Sequence, residues 1–176
     1  MLERFYPDMM ADSAYGIDYE ELYGRGYRGI IYDVDNTLVE HGAPATKRAV
    51  ELFERLHGIG FSAVLLSNNR EQRVKSFAED VRYADYIFKA GKPSARGYRE
   101  AMRRMGTDER NTLFVGDQLF TDVWGAKNAG IYSILVKPIH PKEEIQIVLK
   151  RQLEKIVLYF YRRKKGREKD DDGRIY

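Results

Sequence analysis

Residues 28–37 read Arg28-Gly29-Ile30-Ile31-Tyr32-Asp33-Val34-Asp35-Asn36-Thr37. Ile30, Ile31 and Tyr32 follow one another with no polar residue between them. They lead straight into two carboxylates. An apolar run without alternation is what a strand covered on both faces requires. The pattern recurs along the chain. Residues 61–66 run apolar into Ser67-Asn68-Asn69, and 111–115 into Gly116-Asp117. Shorter apolar stretches at 84–88 and 131–137, the latter stopped by Pro138, bring the strand candidates to about five.

Helical patterns fill the intervals. About 46–57 carries Val50, Phe53 and Leu56 at helical spacing and is stopped by Gly58 and Gly60. Further helices are expected over about 71–79, over 95–105 closed by Gly106, and over 119–128 ended near Gly130. Strands alternating with helices predict a Rossmann-like α/β fold with a doubly wound parallel sheet. Residues 1–27, rich in Tyr and Gly, receive no firm structure. Residues 142–165 form one long helical pattern with Ile145, Leu149, Leu153, Ile156 and Phe160 on a stripe. The expected organisation is a single domain over 1–176, with its core at about 28–140 and a basic amphipathic helix and tail from 142.

Composition supports this. Of 176 residues, 43% are hydrophobic and 32% charged, as in a globular domain. The absence of cysteine excludes disulfides, thiolate metal sites and a cysteine nucleophile. The first ten residues lack the apolar core of a secretory signal, and no stretch approaches the ~20 apolar residues of a membrane span. A cytoplasmic protein is therefore expected, at most peripheral to a membrane. The net charge of +3 conceals a basic C-terminal stretch with Lys150, Arg151, Lys155, Arg162, Arg163, Lys164, Lys165, Arg167 and Lys169. Val157, Leu158 and Tyr159 widen its apolar surface. Such a helix can dock on the domain or lie on an anionic membrane surface. Nucleic acid is not expected as a partner, because the tyrosines are scattered and form no base-stacking module.

In a doubly wound sheet, ligands bind beyond the carboxyl ends of the strands. That edge gathers Asp33, Asp35, Asn36 and Thr37 from the first strand and Ser67 and Asn68 from the second. Lys92 follows the third, and Gly116, Asp117 and Asp122 follow the fourth. Clustered carboxylates need a cation, and a small all-oxygen set favours Mg²⁺. A carboxylate can also attack phosphorus, dividing a hydrolysis into two steps. Lys92, Ser67 and backbone amides near Asn36 are placed to meet the charge on a phosphoryl group. Asn68 and Asn69 can equally shape a turn, and Asp122 can equally cap a helix. His41 is a weaker candidate for substrate contact.

Asp33-x-Asp35-x-Thr37, Ser67, Lys92 and Gly116-Asp117 with Asp122 resemble, in order, the four motifs of the haloacid dehalogenase (HAD) superfamily of phosphatases. The stretches DVDNTLVE, LLSNN, KAGKP and GDQLFTDVWGAKNAG, together with Pro7, Asp8, Ser13, Tyr15 and Ile17, are similar to its YqeG-type, class IIIA branch, to which a phosphatidylglycerophosphate phosphatase looks related. Gly91 departs from that pattern, since a basic residue is expected before Lys92. The resemblance implies a nucleophile at Asp33 and an acid/base at Asp35. Asp35 would then need a pKa raised from ~3.9 toward neutrality. It further implies phosphate contacts from Ser67 and Lys92, a loop held by Thr37, and Mg²⁺ held by Asp33, the Asp35 carbonyl, Asp117 and Asp122.

The gaps between motifs are too short to house an inserted cap, which suits a phosphate on a large carrier. A phospholipid such as phosphatidylglycerophosphate is the expected substrate. The alternatives are a phosphoprotein or nucleic acid end, or a phosphate-sensing scaffold with a relict site. A receiver domain is rejected because its phosphoacceptor follows the third strand. No G-x-x-x-x-G-K-[ST] loop supports a kinase.

Overall fold

A computed structural model describes residues 2–140 and 145–172. Its sheet contains β1 (Met9–Ala11), β2 (Gly29–Tyr32), β3 (Ser62–Leu66), β4 (Asp85–Ile87), β5 (Thr112–Gly116) and β6 (Tyr132–Val136). All pairings are parallel, in the order β1-β6-β5-β2-β3-β4. The helices are α1 (Tyr19–Gly24), α2 (Lys47–Ile59), α3 (Glu71–Val81), α4 (Ala95–Met105), α5 (Trp124–Asn128) and α6 (Ile145–Asp172). Every residue of β2 and β5 is buried, as the unalternating runs require.

Local chemistry sets the helix ends. The Thr46 hydroxyl accepts from the Ala49 N–H to start α2, and Gly60 closes it at φ 112°. Ser94 and Gly106 do the same for α4. Two clusters cover the sheet. Ile30, Tyr32, Leu65, Phe53 and Phe77 pack on one side, and Ile31, Val64, Phe114 and Tyr98 on the other.

The chain leaves β2 toward β3 and β4, then returns through β5 to the opposite half of the sheet. The switch point therefore lies between β2 and β5, the two strands that end in Asp33 and Asp117.

The sheet has a sixth strand beyond the five expected, and it comes from the N-terminal stretch left without structure. Its short run Met9–Ala11 has no strand-length pattern to betray it. Asp8 secures it by accepting from the Ser133 N–H (2.8 Å) and Oγ (2.9 Å) and pairing with Lys127. Farther along, the Tyr15 hydroxyl donates to the Leu38 carbonyl, and buried Ile17 joins the core. A second departure lies at 119–128. There a π-helical turn, Leu119–Val123, precedes α5, and the Asp122 carboxylate turns back to accept the Gln118 N–H at 3.0 Å.

The third concerns α6. Of the two placements open to its apolar stripe, the described part of the stripe does not dock on the domain: Leu153 and Ile156 are each 55% exposed and Phe160 45%. The side chains of Ile145 and Leu149 lie outside the described residues. The docked face is Glu154, Val157 and Tyr161, with Leu158 beside it. Spacing alone offers both faces, and the receiving surface selects between them. The Leu119 N–H needs an acceptor and finds Glu154 Oε1 at 2.8 Å. Tyr161 packs edge-on against Tyr6 at 5.3 Å.

Asp8→Ala should cost about 1–3 kcal/mol, because it strands the Ser133 donors in a half-buried site. Urea unfolding checks this, and an unchanged midpoint would remove Asp8 from the role of securing β1.

Candidate active site

The carboxyl ends of β2, β3 and β5 meet in a cleft of about 350 Å³. It is lined by Asp33, Asp35, Asn36, His41, Ser67, Asn68, Asn69, Lys92, Gln118 and Thr121. Asp33 continues β2, donating its N–H to the Val115 carbonyl at 3.0 Å, so the strand pairing itself fixes its position.

Asp33, Asp117 and Asp122 are all buried, and each offers an oxygen within 4.8 Å of the others. Lys92 enters from the loop after β4. Its Nζ lies 2.5 Å from Asp33 Oδ1 and 2.7 Å from Asp122 Oδ1. Three carboxylates against one ammonium leave a surplus of two negative charges, the charge of one divalent cation. Hard oxygens in a small cluster suit Mg²⁺, so these residues fit the cation that the sequence implies. Burial, with the charges of Asp122 and Asp35, pushes Asp33 up to about 6 against the pull of Lys92. For Lys92, burial opposes the charge, but Asp122 and Asp33 outweigh it and hold the ammonium above its usual range.

Small groups lock this cluster. The Thr37 hydroxyl lies 3.2 Å from Asp33 Oδ2 and 3.3 Å from Asp117 Oδ1, and donates to one at a time. A Cβ on Gly116 would sit 2.6 Å from Asp122 Oδ2, so only glycine leaves room for that carboxylate. A Cβ on Gly125 would strike the Tyr98 ring, whose hydroxyl lies 3.2 Å from the carbonyls of Thr121 and Asp122. Asp122 is thus a buried partner of Lys92 that also ties down its own turn, more than a surface cap.

Asp35 stands apart from the triad. Its carboxylate accepts from the Gly42 N–H (2.9 Å), Asn69 Nδ2 (3.3 Å) and Arg73 (2.9 Å). Burial opposes its ionisation, but the Gly42 amide and Arg73 outweigh that and lower its pKa. The expected rise toward neutrality is therefore corrected: in the free site Asp35 is held ionised. Arg73 was not anticipated. It lies on α3, clear of every motif, and one half-buried arginine in a basic chain carries no sequence signal.

The phosphate-side residues divide. The Ser67 Oγ accepts from the Asn69 N–H at 3.1 Å, leaving its proton to donate into the cleft. Asn68 brackets the Lys92 backbone, accepting its N–H at 2.8 Å and donating to its carbonyl at 3.2 Å. Its amide thus holds the lysine loop. The Asn36 N–H is engaged by the Val39 carbonyl at 2.7 Å in a turn where Asn36 takes φ 65°. That backbone amide is therefore already engaged in this structure, while the residue still lines the cleft. The Asn36 Oδ1 is buried with no hydrogen-bond partner among the described residues.

Comparisons with known proteins agree with this geometry. The family described as HAD-hydrolase-like matches residues 89–144. A Bacillus subtilis (strain 168) protein named Probable phosphatase YqeG is 38% identical over 166 residues, spanning 93% of this chain and 96% of that protein. The chain belongs to the HAD-like hydrolases, and it is a phosphatase. A more distant relative of this phosphatase, from Arabidopsis thaliana, is named Phosphatidylglycerophosphate phosphatase 1, chloroplastic/mitochondrial. It is 25% identical over 159 residues, covering 84% of this chain and 44% of that protein. Among solved structures, a HAD family hydrolase from Deinococcus radiodurans R1, with bound phosphate and sodium, superposes with a TM-score of 0.56 at 14% identity. The match covers 72% of this chain and 88% of that one. At that identity the match speaks to the fold.

Two variants probe the site. Gly116→Ala should displace Asp122 and raise the Mg²⁺ concentration needed for half-maximal aryl phosphatase activity; an unshifted Mg²⁺ titration would contradict the cluster's role. Arg73→Gln should release Asp35. A depressed carboxylate pKa contributes stability above the unfolded value and loses it as pH falls through the folded one. The variant's stability deficit, measured by urea unfolding, should therefore be full at neutral pH and shrink below about pH 4. A deficit independent of pH would count against the ion pair.

Proposed function

We propose that this phosphatase hydrolyses a phosphomonoester with Mg²⁺ through an aspartyl-phosphate on Asp33, acting on a phosphate borne by a large or membrane-bound carrier. Phosphatidylglycerophosphate is the favoured substrate. The observation that carries the mechanism is the buried Asp33-Asp117-Asp122 triad bridged by Lys92.

An oxygen of Asp33 attacks phosphorus, the new O–P bond forms, and the bond to the leaving alcohol breaks. Asp35 protonates that leaving oxygen, then takes a proton from the water that hydrolyses the acyl phosphate. Its ionised resting state suits the second step directly. For the first, the arriving phosphate dianion raises its pKa by like-charge proximity. Ser67 Oγ–H and Lys92 Nζ donate to phosphoryl oxygens. Thr37 and Asn68 keep the nucleophile and the lysine in place. When bound among Asp33, Asp117 and Asp122, Mg²⁺ supplies the positive charge that the phosphoryl oxygens need.

The substrate class rests on access. Between β2 and β3 lies α2, and between β3 and β4 only α3, so neither connection builds a lid over the cleft. An open site encloses a small metabolite poorly, but admits a phosphate presented on a surface. The names of two relatives, from Arabidopsis thaliana and Chlamydomonas reinhardtii, point to phosphatidylglycerophosphate.

Asp33→Asn should abolish Mg²⁺-dependent hydrolysis of p-nitrophenyl phosphate, and full activity would refute the mechanism. Asp35→Asn should slow turnover by about 10²–10⁴-fold, the usual worth of a general acid/base. A screen of soluble phosphomonoesters against phosphatidylglycerophosphate in vesicles tests the substrate. Preference for a soluble ester would overturn the lipid reading while leaving the chemistry intact.

A further inference from the structure

Four of the eight large apolar side chains exposed among the described residues lie within two turns of α6: Leu153, Ile156, Tyr159 and Phe160. Scattered exposed apolar residues are ordinary, but a contiguous group is not. These four lie on a face of the helix that the domain does not use. The opposite side is fastened by the hydrogen bond from Leu119 to Glu154, by Val157 in a small apolar cluster with Leu119, Val123 and Leu135, and by Tyr161 against Tyr6. Lys164 adds an ion pair to Glu3. The helix is thus held as a rigid part of the domain while its apolar ridge faces outward.

We infer that this ridge is a docking surface for an anionic bilayer. The inference deepens the reading of a membrane-borne substrate and rests on it for its purpose. Charge decides the occupant. Lys155, Arg162 and Arg163 are exposed on the same two to three turns, and the one acid among them, Glu154, faces inward. A second copy of the chain would bring this basic surface against its own like charges. An anionic leaflet takes the cations at the headgroups and the apolar ridge at the acyl boundary. Among the described residues no helix is long and apolar enough to cross a membrane, so the contact is one of lying on the surface. The ridge's helix packs on the turn Leu119–Val123, whose Thr121 lines the cleft, so the proposed docking helix and the cleft share one element.

The test uses the full chain and vesicles free of substrate. Wild-type protein should co-sediment with phosphatidylcholine vesicles containing phosphatidylglycerol, less with phosphatidylcholine alone, and less as salt is raised. The triple variant Leu153→Ser, Ile156→Ser, Phe160→Ser should partition at least about tenfold more weakly, from the lost apolar burial. It should hydrolyse p-nitrophenyl phosphate at the wild-type rate, since none of the three lines the cleft. Wild-type protein that stays in the supernatant with anionic vesicles overturns the inference, as does a triple variant that binds equally well. A dimer that the triple variant abolishes in analytical ultracentrifugation also overturns it, by giving the ridge to a second copy. Wild-type protein that docks on vesicles but hydrolyses no phosphomonoester would strike the proposed function and leave this surface standing.

Discussion

A buried surplus of negative charge governs the catalytic edge. Asp33, Asp117 and Asp122 crowd the ends of β2 and β5, and one ammonium, Lys92, pairs with Asp33 and Asp122. Unpaired buried charge is costly, so the surrounding structure is committed to managing it. Lys92 is held by the Asn68 bracket, Asp122 fits only because Gly116 lacks a side chain, and Thr37 divides one proton between two acids. The acidic cluster is one that could hold a cation.

Asp33 and Asp35 are two residues apart and have opposite surroundings. Asp33 points into the acidic cluster, and burial drives it toward protonation. Asp35 turns to Gly42, Asn69 and Arg73, and these hold it ionised. Alternation along an extended chain sends neighbours-but-one to the same side only while the strand continues. Here the strand ends at Tyr32, and the turn at Asn36 lets the two carboxylates diverge. Environment thus separates two chemically identical groups, a common way of dividing labour at a site.

Much of this was legible in residues whose type is forced. The unalternating runs through Ile30, Val64 and Phe114 announced strands covered on both faces. Thr46, Gly60, Ser94 and Gly106 marked helix ends, because caps are local chemistry. Asp33, Ser67, Lys92 and Asp117 could be gathered at one edge because topology places strand ends together. What escaped notice depends on distant partners. β1 is three residues long, and it is secured by an aspartate whose partners lie more than a hundred residues away. Arg73 looks like any helical arginine until Asp35 is folded beside it. The orientation of α6 stayed open because periodicity counts apolar residues, whereas the docked face also supplies Glu154 as acceptor for the Leu119 amide.

That amide has a consequence for what counts as the unit of folding. By strand count the domain is complete at Val136, and a chain ended near there would retain every motif residue. It would also lose the acceptor for Leu119, in the very turn that carries Asp122, and would uncover Leu135 and Val123. The helix beyond the last strand is therefore a keystone more than an appendage: it closes the arch over which the acidic cluster is built.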